Sequence, residues 1–171
     1  GKTRWVHHTS GDSIDLVKAG YDRRAIQSTA AIADGLVFVG SRDVGFYALD
    51  LATRQRKWRQ SHQSSWVVAS PAVGDGKAYV GSSDAHFIHA IDVASGRELW
   101  RTPITMNAIA SPVLTGNLLV VNTAQTNAAR GELLALDAGT GAIRWRLQLP
   151  EAVWSTPVVA GKELYFGGDD G

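Results

Sequence analysis

Histidines 7 and 8 and aspartates 12 and 15 crowd into nine residues near the start of this sequence. Imidazole and carboxylate are ordinary ligands of zinc and related ions. Adjacent histidines on an extended chain point to opposite sides, however, and no His-x-His or His-x-x-x-His spacing supports the group. His7, His8, Asp12 and Asp15 are therefore not expected to hold a metal. Two aromatic positions suit binding better. Trp66 and Trp154 stand just ahead of Ser-Pro and Thr-Pro dipeptides, and an indole there offers a flat face to a planar ligand or an anchor for a partner's loop. The stretch AQTNAARG adds Gln125, Asn127 and Arg130 as polar groups on a long hairpin. The densest basic run is RQRKWRQ, residues 54–60. On an exposed strand such charges discourage edge pairing more often than they bind nucleic acid.

Catalytic signatures are missing. No Gly-x-Ser-x-Gly elbow and no phosphate-binding Gly-x-x-x-x-Gly-Lys-Ser/Thr loop occurs in the sequence. With no cysteine, thiolate metal sites, disulfides and a cysteine nucleophile are excluded. No catalytic residue is assigned.

The elements that must carry these residues follow from composition and repetition. The chain has 171 residues, 44% apolar and 19% charged, with a net charge of +1. That balance builds a buried core and gives no general argument for nucleic acid or a membrane surface as partner. No apolar run reaches the roughly 20 residues needed to span a bilayer. Eighteen glycines and six tryptophans suit many short strands and tight turns.

One spelling returns three times: ALDLATRQRKW (48–58), AIDVASGRELW (90–100) and ALDAGTGAIRW (135–145). Successive tryptophans lie 42 and 45 residues apart, and so do the aspartates. Ser70-Pro71, Ser111-Pro112 and Thr156-Pro157 recur with nearly the same period, and residues 28–32 give a first copy without proline. A period near 42 predicts one four-stranded unit per repeat, as in a propeller blade. In the second repeat the strands are expected at 67–73, 78–81, 87–92 and 98–101, each bounded by Gly, Asp or Ser. Residues 2–6 read as an outer strand, and helix is expected only within 9–24.

A single such sheet cannot bury both faces, so sheets must stack around an axis. A tryptophan on the outer strand can lie between neighbours, its N–H bonded to a carbonyl of the next sheet, with Ala48, Ala90 and Ala135 leaving room. Asp50, Asp92 and Asp137 open a turn and can accept backbone N–H groups. Gly96 and Gly141 suit the left-handed conformation of that turn, where the first copy has Arg54.

These residues resemble the pyrroloquinoline-quinone (PQQ)-like β-propeller repeat, whose docking motif runs Ala-x-Asp-x-x-x-Gly-x-x-x-Trp. Ala90, Asp92, Gly96 and Trp100 match it, as do Ala135, Asp137, Gly141 and Trp145; Ala48, Asp50 and Trp58 match around Arg54. The resemblance implies an all-β propeller, with repeats at about 26–60, 66–102, 107–148 and 153–171, the last incomplete. Residues 1–5 then end a preceding blade and 6–25 form an inserted loop. Seven or eight blades are the family's usual complement, so the remainder of a propeller, or a second copy of the chain, is expected to close the ring. The family includes quinoprotein alcohol and sugar dehydrogenases and the BamB-type lipoprotein of outer-membrane barrel assembly. It thus implies an extracytoplasmic, periplasmic setting and a protein partner. A non-catalytic scaffold without cofactor is expected first. A PQQ- and calcium-dependent dehydrogenase and a sensor domain fused to an enzyme are the alternatives.

Overall fold

The computed structural model of the protein describes residues 1–13, 22–125 and 130–168. The architecture is all-β. Three four-stranded antiparallel sheets follow one another along the chain, each in simple up-and-down order. The first holds β1 (Ala31–Ala33), β2 (Leu36–Gly40), β3 (Gly45–Asp50) and β4 (Arg56–Ser61). The second holds β5 (Ala72–Gly74), β6 (Lys77–Gly81), β7 (Phe87–Asp92) and β8 (Glu98–Pro103). The third holds β9 (Val113–Thr115), β10 (Leu118–Ala124), β11 (Gly131–Asp137) and β12 (Ile143–Leu149). A two-stranded sheet follows, β13 (Val158–Ala160) with β14 (Glu163–Tyr165). The short first strands β1, β5, β9 and β13 contact one another in sequence. They therefore form the inner rim of a radial stack, and β4, β8 and β12 form its outside.

The two middle strands of each sheet are buried on both faces, which is why they read as nearly continuous apolar runs. Leu36, Phe38, Phe46 and Ala48 of the first sheet meet Ala78, Val80, Ile91 and Val93 of the second. Tyr79, Ile88 and Ala90 of the second meet Leu119, Val121, Leu134 and Leu136 of the third. Each seam also takes an indole. Trp58 sits opposite Ala48 in its own sheet and sends its Nε1–H to Val93 O, 2.9 Å away in the next sheet. Trp100 sits opposite Ala90 and donates to Ala138 O at 3.1 Å. Trp145, opposite Ala135, faces the two-stranded sheet and is 42% exposed.

The aspartate turn explains why Trp58 and Trp100 each find a carbonyl waiting, since Val93 and Ala138 directly follow Asp92 and Asp137. Asp92 Oδ1 accepts Ser95 N at 2.8 Å and Ser95 Oγ at 2.6 Å, and Gly96 N returns to Asp92 O at 2.8 Å. Asp137 Oδ1 accepts Gly139 N, Thr140 N and Thr140 Oγ1, all within 3.0 Å. Its other oxygen takes Arg144 Nη2 at 2.7 Å and Asn117 Nδ2 at 2.9 Å. The Arg144 bond, with that of Thr140 N next, holds the Asp137 carboxyl down at about 2. Asp50 makes the same turn through Ala52 N and Thr53 N.

Arg54 keeps this turn's shape at φ +63°, where Gly96 has +74° and Gly141 +75°. A left-handed non-glycine residue costs about 1–2 kcal/mol, and glycine loses about 0.5–1 kcal/mol more entropy on folding. Arg54→Gly is therefore expected to raise stability by about 0.5 kcal/mol in urea unfolding. A fall of that size would mean that the Arg54 side chain stabilises the turn.

Three expectations about individual elements change. Residues 2–6 form no strand. A strand exists only as a paired ladder, and no described strand pairs with residues 2–6, although Trp5 packs on Val39, Tyr47 and Leu49. The innermost strand is shorter than 67–73, covering Ala72–Gly74 alone. Ahead of it Pro71 has no N–H, while Val67 N and Ser70 N bond across to other sheets. Within 9–24 the described residues carry one 3₁₀ turn, Ser10–Ser13, and no longer helix; residues 14–21, including Asp15, lie outside the described set.

Candidate functional site

Hydroxyl side chains knit the inner rim. Thr29 N donates to Ser70 Oγ at 2.8 Å, Ser70 N to Ser111 Oγ at 2.9 Å, and Ser111 N to Thr156 Oγ1 at 3.3 Å. Each bond joins one repeat to the next. The first member is Thr29, one residue beyond the Ser28 that spelling alone selects. Ser28 instead bridges its own sheet, bonding both O and N of Gly40 at 2.9 Å. The sequence displayed the hydroxyls at near-constant spacing, but their joining role needs the radial stack to be seen.

Two residues before these hydroxyls stand Gln27, Val68, Ile109 and Trp154. Three of them line one pocket of about 250 Å³ at the rim, together with Trp66, Ser83 and Asp84. Repetition thus brings equivalent side chains of three successive repeats to one place. Trp66 enters from a different offset, four residues before Ser70, a position held by Asn107 and Ala152 in the following repeats. The Arg42 guanidinium lies 4.0 Å over the Trp66 ring, a cation–π contact that orients it. Trp66 O accepts Ser83 N at 3.2 Å. The pocket therefore combines an aromatic face, two aliphatic side chains and a carboxylate.

The carboxylate is held from both sides. Asp84 Oδ2 accepts Ser83 Oγ at 2.7 Å and Oδ1 accepts Asn107 Nδ2 at 3.2 Å. Its backbone N–H reaches Ser65 Oγ at 2.7 Å, and that hydroxyl also takes Ser82 Oγ at 2.7 Å. Asn107 in turn bridges Ala124 by paired backbone bonds of 3.0 and 3.1 Å. The long hairpin begins one residue later, where Gln125 N donates to Arg130 O at 3.0 Å. Gln125 and Arg130 are exposed and so sit next to the residue that steers Asp84; Asn127 lies outside the described residues. Trp154 is 37% exposed and is not among the residues lining the Trp66 pocket.

The remaining polar candidates fall elsewhere. His7 packs edge-on to Tyr47, with centroids 6.3 Å apart. Gly11 N donates to Asp43 Oδ2 at 3.0 Å and Ser10 N to Tyr47 Oη at 3.1 Å; the Tyr47 hydroxyl also bonds Asp43. The start of the inserted segment is thereby tied to the first sheet. Among the described residues no three His, Cys, Asp or Glu side chains converge as a metal site. Arg54, Arg56 and Lys57 are exposed, whereas Arg59 turns inward to Tyr47 Oη at 3.1 Å and Asp43 O at 3.2 Å.

A calcium-held quinone would need several acidic or amide oxygens converging beside a stacking ring. Trp66 offers the ring, but the lining supplies one carboxylate, Asp84, both of whose oxygens already accept side-chain donors, and one amide, Gln27. The described lining does not fit that group.

Comparison with known proteins agrees with the architecture. The family described as "Outer membrane protein assembly factor BamB" matches residues 1–124 and again 87–171. The outer membrane protein assembly factor BamB of Yersinia pestis is 28% identical over 159 residues, which are 87% of this chain and 39% of that protein. A quinohemoprotein alcohol dehydrogenase of Comamonas testosteroni is 28% identical over 141 residues, 72% of this chain and 20% of that one. The crystal structure of BamB from Moraxella catarrhalis superposes with a TM-score of 0.65 at 21% identity, over 84% of this chain and 47% of that chain. The chain spans less than half the length of these proteins. No described helix is long and apolar enough to cross a membrane. A family match over the whole length, three four-stranded sheets in radial order and a repeat of about 42 residues agree: the chain belongs to the PQQ-like β-propeller repeat family described as outer membrane protein assembly factor BamB.

Proposed function

We propose that this chain is part of a non-catalytic propeller scaffold in the bacterial cell envelope that holds a protein partner at its rim. The observation that carries the reading is the Trp66 pocket. Its ring is oriented by Arg42 and flanked by Val68 and Ile109, with Asp84 fixed beside it. An aromatic anchor among aliphatic neighbours with one oriented carboxylate suits an apolar side chain of a partner loop next to a basic or N–H group. Gln125 and Arg130 extend the same rim through Asn107, and Trp154 would add a second aromatic contact one repeat further on. Similarity to assembly factors supports the protein partner and the envelope setting.

The competing reading, a PQQ- and calcium-dependent dehydrogenase, draws on the similarity to quinohemoprotein alcohol dehydrogenases. One experiment separates the two. A photo-crosslinking residue is placed at position 66 of the full-length protein in envelopes, with position 97 on the outer surface as control. A single defined protein adduct from position 66 and none from position 97 is expected. In parallel, the purified full-length protein with added PQQ and Ca²⁺ is expected to give no dye reduction with alcohols or aldoses. Quinone-dependent dye reduction, or adducts that do not distinguish the two positions, would overturn the scaffold reading.

A further inference from the structure

Two histidines meet inside the seam between the first and second sheets. His62 follows β4, and His89 lies in the middle of β7. Both are fully buried. Their ring centroids are 4.6 Å apart at 83°, and both pack on Phe87, at 5.0 and 5.2 Å. Neither ring nitrogen of His62 has a hydrogen-bond partner, nor does Nε2 of His89. His89 Nδ1 lies 2.9 Å from Glu98 Oε2.

The repeat shows how unusual this seam is. His89 pairs with Val80 and Arg101. The residues holding the corresponding register are Tyr47 in the first sheet and Leu134 in the third. His62 N donates to Val44 O as Ile104 N does to His86 O, so Ile104 is its counterpart. Positions that neighbouring repeats fill with Ile104, Leu134 and Tyr47 are imidazoles here, on both sides of one contact.

We infer that His62 and His89 form an acid-sensitive latch: as neutral imidazoles they close the seam between the first two sheets, and proton uptake loosens it. The surrounding charges favour this direction. Arg101 lies over Phe87 at 3.9 Å and bonds Glu98 Oε2 at 2.6 Å, and both Arg101 and Arg59 act on His62. Among the described residues Glu98 is the one carboxylate facing the pair, and Arg101 already shares it. A protonated pair would thus bury two new cations beside two existing ones against a single anion. Burial first, then the neighbouring cations, keeps His62 well below its ordinary range, while burial outweighs Glu98 and brings His89 down to about 4.

The sign follows from proton linkage. The folded state resists protons that the unfolded chain takes up near 6.5, so stability is complete above that value and falls as pH drops towards 4. His89 alone would shift the folding equilibrium about thirtyfold between pH 7.5 and 5.0.

Two seam bonds in equivalent positions make the test internal. Val67 N donates to Ser41 O across the first seam, and Ala108 N to Ser82 O across the second. Amide exchange of the intact chain is measured at pH 7 and pH 5 and corrected for intrinsic rates. Protection of Val67 is expected to fall at least tenfold more than that of Ala108; equal falls would overturn the latch. In the H62I/H89L variant, which restores the side chains of the neighbouring repeats, the excess loss at Val67 should disappear. Should that variant fail to fold, imidazole NMR titration of the unaltered chain decides. Rings neutral at pH 5.5 in the folded state support the latch, and a titration near 6.5 removes it.

Discussion

Trp58→Ala is expected to cost about 3 kcal/mol of unfolding free energy, the low end for large aromatic truncations, because the ring is half-buried in the seam. The ring lies 5.8 Å from Phe38 and 5.6 Å from Phe46, tilted on one and edge-on to the other. It also supplies the Nε1–H that pairs Val93 O. Truncation would open a void between two sheets that share one continuous apolar cluster and leave the carbonyl without that donor. Trp145 stands at the same place in the motif but is 42% exposed. Trp145→Ala should therefore cost under about 1 kcal/mol, because solvent already reaches its ring. Urea unfolding of the two variants makes the comparison. Similar losses would mean that seam stability does not come from the rings.

How much of this was readable beforehand depends on repetition. The all-β fold and its family could be read because Ala, Asp, Gly and Trp recur at spacings of 42 and 45. Each recurrence reports the same backbone geometry again, so one weak local preference is multiplied. Features that occur once are not reinforced in this way. Trp66 and Trp154 look alike in sequence, yet they occupy different offsets from their hydroxyl markers. Only Trp66 lines the pocket with Gln27, Val68 and Ile109. Arg42, which orients that ring, lies 24 residues earlier and had no signal of its own.

The histidine pair was invisible for the same reason. His62 and His89 are 27 residues apart, a separation unrelated to the period. Nothing in either local spelling says that the two rings touch. A comparison with their repeat counterparts, Ile104 for His62 and Tyr47 and Leu134 for His89, would have flagged both as imidazoles where the other repeats have aliphatic or phenolic side chains. The motif supplies that comparison, since His89 precedes Ala90 as Tyr47 and Leu134 precede Ala48 and Ala135, and His62 follows Trp58 by four residues as Ile104 follows Trp100; the contact between the two rings it does not supply. The strand expected at residues 2–6 fails from the opposite cause. Its spelling matches the motif, but a ladder also needs a neighbour, which spelling cannot supply.

Gly96→Ala should be strongly destabilising for a single methyl addition. Gly96 has φ +74°, and a Cβ built on it would stand 2.5 Å from Trp58 Cγ and 2.8 Å from Cδ2. Two independent costs therefore meet at one position. The left-handed backbone costs about 1–2 kcal/mol for any L side chain. The contact forces the indole to move, and that ring is held by Phe38, Phe46 and the bond to Val93 O. A wedged interior group of this kind adds about 1–3 kcal/mol, for a total of about 2–5 kcal/mol. The two terms separate in a double-mutant cycle. With Trp58 already alanine the clash is gone, so Gly96→Ala should cost the backbone term alone. The coupling between the two positions should then be about 1–3 kcal/mol. Additive losses would show that Gly96 is required for its turn and not for the indole above it. The same logic explains why Arg54 is tolerated where glycine is otherwise found. The turn's backbone term is the same there, with φ +63°, but the Arg54 side chain is exposed, so no interior ring has to move to admit it.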